Sequence, residues 1–416
     1  MSREEEKLLR IVTGYYLRSH DFNGTPVRSI GLANKEKLIE SLVKNGYLDI
    51  NFGDIHPNPH IKALESDPIE IQLDKIEKLN LEDTCLYPSK KYLREMVKSN
   101  KYIGKPFDLM LALGEPQLGF RAFDLSVLEI YRNDPRYHYD TDDIHGDMAI
   151  KSIYSEKKGK VYKRDEVFLQ TFGFAYNKTF TKRVVAVYIR YLADLTPEHQ
   201  ELWKNKMLRG KYFIHPDYHR ATMGSWALKE SIFNAFLEEL HQINEMANLM
   251  GKPPFFREEY ARDKKPRGFG FLLRPTLKEY QEFIQLLDKL VSENINKTFF
   301  KGDLILYTEK VLSSGIVERT QKGTIILLEE WLNRVSFPDP KPMIETFKKV
   351  RKLRQSPAHA VQEDEFNQRY IREQQKLVIE AYGAVRTLRL IFANHPKVKG
   401  YTGVPEWLYK AEIRTY

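Results

Sequence analysis

The sequence predicts an α+β protein built of three parts and a short tail. The first 65 residues alternate helical and strand-like patterns, residues 88–274 mix both types, and strand signals almost vanish after Arg274. An apolar period of 3.6 residues indicates a helix, and strict alternation indicates a strand. We therefore expect an N-terminal module at 1–65, a central mixed α/β domain at 88–274, an all-α helical bundle at 276–396 and a tail at 397–416.

The N-terminal module contains two amphipathic patterns and two strand-like segments. Apolar residues recur at helical spacing around Leu8–Val12 and again around Leu38–Val43. Gly24–Ile30 is too short and too rich in glycine and proline for a helix, and Tyr47–Phe52 alternates like a strand. This order resembles a winged-helix module. The resemblance implies that the helix at 35–45 faces a partner.

The central domain is expected to alternate strands with helices. Strand-like patterns cover 127–131, 167–176 and 183–191, and helical ones cover 197–207 and 225–250. The helix after Thr196 has the clearest start, because a hydroxyl cap is followed by Pro197 in the first turn.

The C-terminal part is expected to be a compact bundle. An apolar stripe runs through 277–296, and two shorter amphipathic stretches follow at 324–335 and 343–353. A last long helix keeps one apolar face from Phe366 to Phe392 and should end at His395-Pro396. Helices of this length with short connections favour a bundle packed around one core.

Composition excludes several classes of protein. The longest apolar runs, such as Val184–Ile189, are far shorter than the roughly 20 residues that cross a bilayer. The first residues lack the apolar centre of a secretory signal, so we expect a cytoplasmic protein without membrane attachment. A single cysteine, Cys85, excludes disulfide scaffolds and cysteine-based zinc sites. The net charge of +9 is compatible with nucleic acid but does not require it.

The sharpest motif is the segment Val350–Ala360, between the last two helices of the expected bundle. Pro357 breaks a helix, so one helix should end near Arg354, and Ser356 should cap the next. His359 would then lie in the first turn of the new helix, beside unpaired N–H groups and the positive end of the helix dipole. Such a place attracts phosphate.

An arginine and a histidine in this position suit RNA cleavage. Histidine exchanges protons near neutral pH, and a guanidinium stays charged and grips two phosphate oxygens. The reaction needs a base for the 2′-hydroxyl and an acid for the leaving 5′-oxygen. One histidine does not easily serve both roles at once, so two copies of the motif predict a homodimer.

An arginine, four residues and a histidine at a helix junction in a C-terminal bundle resemble the signature of HEPN-type ribonucleases. The resemblance covers 276–396 and implies RNA cleavage without metal or other cofactor in a dimeric site, as in toxin and antiphage defence (abortive-infection) proteins. Arg354 and His359 match the signature, whereas Gln355 stands where the family most often has asparagine or aspartate. Gln355 and Ser356 are candidate assisting residues. An inhibitor or antitoxin protein is an expected partner, and the central domain is its expected docking or sensor part. The candidate RNA-backbone residues are Lys348, Lys349, Arg351 and Lys352.

Two alternatives remain open. The chain could be a non-catalytic winged-helix regulator that binds nucleic acid and whose bundle only dimerises. It could also be a metal-dependent hydrolase, because His138–Asp147 gathers two histidines and four carboxylates, a set that suits manganese or magnesium. The same residue types are common in turns between strands, and we favour a turn for this segment.

Overall fold

The chain divides into two compact units, Met1–Ala227 and Leu228–Tyr416. The structure is a computed structural model. It describes residues 1–53, 56–62, 65–155, 163–225, 229–260, 264–311, 313, 316–355 and 363–415. Within these ranges, no helix combines the length and the apolar character that a membrane crossing needs.

The N-terminal unit begins with helices and a small sheet in the predicted order. Ser2 caps the first helix by accepting a hydrogen bond from the Glu5 N–H, and the Glu5 carboxylate accepts one from the Ser2 backbone N–H. The strands form an antiparallel sheet in the order β1-β3-β2. Because β3 completes this sheet, the module extends past its expected end at residue 65. Its elements are α1 (Arg3–Arg18), β1 (Thr25–Pro26), α2 (Lys35–Lys44), β2 (Leu48–Asn51), α3 (Ile69–Lys78) and β3 (Cys85–Pro88).

A second antiparallel sheet fills the rest of this unit. Its strands run in the order β4-β8-β7-β6-β5, and β9 pairs with β7. The predicted strand at 167–176 is confirmed as β7, and the one at 183–191 is confirmed only as far as Tyr188, where β8 ends and the following residues begin a helix. The elements are α4 (Lys90–Met96), α5 (Pro106–Ala112), β4 (Phe120–Phe123), α6 (Val127–Asn133), β5 (Tyr137–Thr141), β6 (His145–Ile150), β7 (Phe168–Tyr176), β8 (Arg183–Tyr188), α7 (Ile189–Ala193), α8 (Pro197–Asn205), β9 (Phe213–Ile214) and α9 (Pro216–Thr222).

The predicted strand at 127–131 is wrong, because this segment is helix α6. Val127, Leu128 and Tyr131 are fully buried, at the spacing of one helix face rather than of alternate strand positions. A short apolar run fits either state, and the tertiary environment selects the helix. The helix predicted to start at Thr196-Pro197 is confirmed as α8, with proline in the first turn.

The C-terminal unit packs its long helices around one core that extends from Ile232 to Leu408. Helix α10, which we assigned to the central domain, lies in this core against α14. The helical unit therefore starts well before residue 276. Its elements are β10 (Glu230–Ser231), α10 (Ile232–Leu249), α11 (Leu277–Leu290), β11 (Tyr307–Val311), β12 (Val317–Gln321), α12 (Thr324–Arg334), α13 (Lys341–Gln355), α14 (Arg369–Ala393), α15 (Glu406–Tyr409) and β13 (Ile413–Arg414).

Three details correct the expected all-α bundle and tail. The exposed hairpin β11–β12 lies between α11 and α12. The tail belongs to the unit, because β13 pairs with β10 in parallel and Leu408 is buried in the core. Helix α14 starts at Arg369 rather than at Phe366, since Phe366 is 67% exposed and bridges Thr276. The predicted end before His395-Pro396 is confirmed.

Candidate functional site

The predicted catalytic residues fall at the end of α13 and just beyond it. Arg354 and Gln355 are the last two described residues of the helix, and the residues that would test the predicted helix end near Arg354 are not described. Gln355 is exposed. Ser356 and His359, with the helix start predicted for them, lie outside the described residues.

Two carboxylates hold the guanidinium of Arg354. Its Nη1 donates to Asp288 Oδ2 at 2.8 Å and also to Glu293 Oε1. Hydrogen bonds from Arg354 to Asp288 and Glu293 raise the pKa of its guanidinium further above the ordinary range. The Nε of Arg351 lies 3.6 Å from Asp288 Oδ1. Two arginines of α13 therefore converge on one aspartate.

Helix α11 places Asp288 against α13. Thr276 caps this helix by accepting a hydrogen bond from the Glu279 N–H, and the apolar stripe of α11 then packs toward the core. Asp288 lies on that stripe and is fully buried, whereas the side chain of Arg354 is 32% exposed. Among the described residues, Asp288 Oδ1 has no hydrogen-bond partner, and neither has the buried hydroxyl of Ser292 nearby in the chain.

A buried carboxylate is costly unless it is paired, because it loses its hydration. The two arginines supply the compensating charge on one side of Asp288. The arrangement can bind an anion at the part of Arg354 that stays open to solvent, since a guanidinium has five donors in a planar fork.

The other basic residues of α13 are mostly neutralised by neighbouring acids. The Lys348 amino group lies 3.2 Å from Glu329, and Lys349 pairs with Glu380 at 2.5 Å. Lys352 is exposed and has no ion pair within the described part of the chain. The four candidate RNA-backbone residues of α13 therefore present less free positive charge than their number indicates.

Sequence reasoning missed both acids that hold Arg354. A usable signal existed for Asp288, which follows Ile284 by four residues and precedes Val291 by three and so falls on the apolar stripe. An acid on such a stripe indicates a buried partner of opposite charge. Glu293 lies in the turn after the helix and gives no comparable signal.

The segment His138–Asp147 forms the hairpin β5–β6, which confirms the predicted turn between strands. His138 pairs with Asp147, and His145 pairs with Asp142, each at 3.2 Å. Burial would raise the pKa of Asp142, but hydrogen bonds and charge from His145, together with backbone N–H groups, lower it to about 2. Within the described ranges, no three His, Cys, Asp or Glu side chains are arranged to hold a metal.

The only cysteine has a histidine neighbour that the sequence did not indicate. The Nδ1 of His60 lies 2.9 Å from the Cys85 sulfur. The thiol is fully buried, and burial raises its pKa to about 11. The thiol therefore stays protonated at neutral pH and is out of reach of a substrate, which favours a structural role.

The described residues of the N-terminal unit line two cavities of note. One, of about 310 Å³, is lined by Tyr16, Lys62 and Glu115 among others. The other, of about 280 Å³, is lined mainly by aromatic side chains, including Tyr188, Tyr191 and Tyr218. Both are near the lower limit of volumes that hold small ligands.

No family model, no curated protein and no solved structure matches the chain. The resemblance to HEPN ribonucleases therefore depends on Arg354, His359 and their place between two long helices.

Proposed function

We propose that the C-terminal unit is a HEPN-type endoribonuclease that cleaves RNA without a metal ion and acts as a toxin or antiphage defence effector. The supporting observation is that the side chain of Arg354 is held in place and yet accessible to solvent. Its guanidinium is fixed by Asp288 at the end of α13, yet its side chain remains 32% exposed directly before the segment that carries His359. A fixed and accessible guanidinium is what binding of a scissile phosphate requires.

In the proposed reaction, His359 of one copy takes the proton of the ribose 2′-hydroxyl. The 2′-oxygen attacks the phosphorus, and the bond from phosphorus to the 5′-oxygen breaks. His359 of a second copy gives a proton to that 5′-oxygen. The products are a 2′,3′-cyclic phosphate and a 5′-hydroxyl end. Arg354 stabilises the charge that builds on the phosphate oxygens.

The remaining site residues would assist. Gln355 is exposed and can donate and accept hydrogen bonds, and Ser356 is proposed to assist beside it. Lys352 is available for the RNA backbone, whereas Lys348, Lys349 and Arg351 must first exchange their carboxylate partners for phosphate. The central mixed α/β part of the chain is proposed to sense a trigger or to bind an inhibitor protein.

The test is cleavage of single-stranded RNA by the full chain in the presence of a chelator. We expect the wild type to cut and His359→Ala to cut about 100- to 10,000-fold more slowly, which is the usual contribution of a proton-transfer residue. His241→Ala is a matched control, because His241 is a part-exposed histidine of the same unit, on α10, with a side chain 45% exposed.

Equal rates for His359→Ala and the wild type, with far-UV circular dichroism unchanged, would contradict the proposal. Cleavage that requires a divalent ion would favour a metal-dependent hydrolase instead. A 5′-phosphate rather than a 5′-hydroxyl on the downstream product would contradict attack by the 2′-oxygen.

A second candidate is nucleic-acid binding by a winged-helix module in the N-terminal unit. The antiparallel three-stranded sheet beside α1 and α2 supports it. The charge on α2 does not favour DNA, because the exposed residues Glu36, Lys37, Glu40 and Lys44 carry two charges of each sign. Lys35 is already paired with Glu82 at 2.7 Å. Duplex binding that weakens in Lys37→Ala and Lys44→Ala, without RNA cleavage, would support this alternative.

A further inference from the structure

Arg354 is shared by two acids that differ in their surroundings. Asp288 is fully buried on α11, and the side chain of Glu293 is 37% exposed in the turn that follows this helix. Both accept from the same nitrogen, Nη1 of Arg354. Two carboxylates on one nitrogen repel each other, and the exposed one leaves at lower cost because water solvates it.

We infer that Glu293 occupies the phosphate position on Arg354 and limits RNA binding until the RNA backbone displaces it. This inference rests on the proposed function, because RNA is the ligand which that function assigns to Arg354.

Asp288 and Glu293 then have separate roles. Asp288 is a positioning residue, since its buried carboxylate meets Arg354 at 2.8 Å and Arg351 at 3.6 Å and so fixes both side chains. Glu293 is the exchangeable anion. Its backbone N–H donates to the Asp288 carbonyl at 3.0 Å, so the turn stays anchored while the side chain moves.

The exchange of Glu293 for an RNA phosphate on Arg354 depends on charge. A phosphate oxygen and the Glu293 carboxylate compete for one guanidinium, and each disfavours the presence of the other. Glutamine at position 293 can still accept a hydrogen bond from Arg354 but carries no charge. We therefore expect Glu293→Gln to bind RNA about fivefold more tightly, which is the effect of one part-exposed ion pair.

The experiment measures binding by the full chain of a fluorescein-labelled single-stranded RNA whose riboses are 2′-O-methylated. This probe has no free 2′-hydroxyl, so it binds without being cleaved by the proposed reaction. Fluorescence anisotropy then gives Kd for the wild type, Glu293→Gln and Glu330→Gln.

Glu330→Gln is the matched control. The side chain of Glu330 is also 37% exposed and also pairs with a basic residue, Lys322, at 2.8 Å. It lies on α12 rather than at the Arg354 site. We expect its Kd to stay within about twofold of the wild type, because Glu330 pairs with Lys322 and not with Arg354, and salt screens a surface charge that does not contact the RNA.

A double-mutant cycle with Arg354→Gln tests whether Glu293 acts through this arginine. The gain from Glu293→Gln should vanish in the Arg354→Gln background. The inference would be overturned if Glu293→Gln and Glu330→Gln tightened RNA binding equally, or if Glu293→Gln left Kd unchanged. It would also be overturned if Glu293→Gln still tightened binding in the Arg354→Gln background.

The inference and the proposed function fail in different ways. Cleavage of unmodified RNA by the wild type, with no tightening in Glu293→Gln, removes the inference alone. Tightening without cleavage by any variant leaves an RNA-binding site at Arg354 and removes the nuclease. No RNA binding by any variant overturns both.

Discussion

Two buried acids of the C-terminal unit, Glu239 and Asp288, are paired with arginines in different ways. Glu239 on α10 accepts from Arg389 on α14, and the two side chains are 0% and 3% exposed. Tyr382 also donates to Glu239, at 3.3 Å. Asp288 is equally buried, but its partner Arg354 is 32% exposed and is shared with Glu293.

The difference separates a structural ion pair from a candidate binding site. A pair enclosed on both sides holds two helices together and offers nothing to a ligand. A pair open on the arginine side keeps the acid as a fixed support and leaves the cation available to a second anion. Replacing the acid is therefore expected to destabilise the fold strongly at the enclosed pair and weakly at the open pair.

The largest effect is expected for the acid of the enclosed pair. Glu239→Ala leaves Arg389 buried without its carboxylate and should lower the free energy of unfolding by about 3–5 kcal/mol. Asp288→Ala should cost about 1 kcal/mol, because Arg351 and Arg354 are part-exposed and can turn toward water. Urea denaturation followed by far-UV circular dichroism measures both values.

Similar losses for Glu239→Ala and Asp288→Ala would contradict the distinction between the two pairs. Tyr382→Phe is a useful control, since it removes only the hydroxyl at 3.3 Å from Glu239 and should cost about 1 kcal/mol.

The second prediction concerns the arginine of the open pair. Arg354→Ala leaves the buried carboxylate of Asp288 with Arg351 alone, at 3.6 Å. This should lower the free energy of unfolding by about 2 kcal/mol. Arg354→Ala should thus lower the free energy of unfolding more than Asp288→Ala does. The double variant Asp288→Ala/Arg354→Ala should be close to Asp288→Ala, because the stranded charge is gone. Strictly additive losses would contradict this account.

Helix α11 shows how much of the site was predictable. Its stripe, from Tyr280 to Val291, predicted the helix, and the amphipathic stretch before Arg354 predicted α13. The pairing of Arg354 with Asp288 was not predictable in detail. The two residues are 66 positions apart, and only the packing of α11 against α13 brings them together.

The errors have equally specific causes. The sequence predicts a strand at the position of α6 because five apolar-rich residues do not distinguish a helical from a strand period. The β11–β12 hairpin was missed because both its strands are exposed along their whole length, so no buried face imposes an alternating pattern. Phe366 fitted the helical period of α14 by chance and lies outside the helix.

The smallest expected effect is a dependence on pH that belongs to the enclosed pair. Burial raises the pKa of Glu239 above its ordinary 4.5, although Arg389 opposes the shift. The folded state then binds a proton more tightly than the unfolded state, so the stability from this group is complete below the unfolded pKa. It is lost as pH rises through the raised pKa of the folded state.

The free energy of unfolding of the wild type, measured relative to Glu239→Gln between pH 4.5 and 7, should therefore fall as pH rises. A difference that grows with pH would show that Arg389 outweighs burial at Glu239.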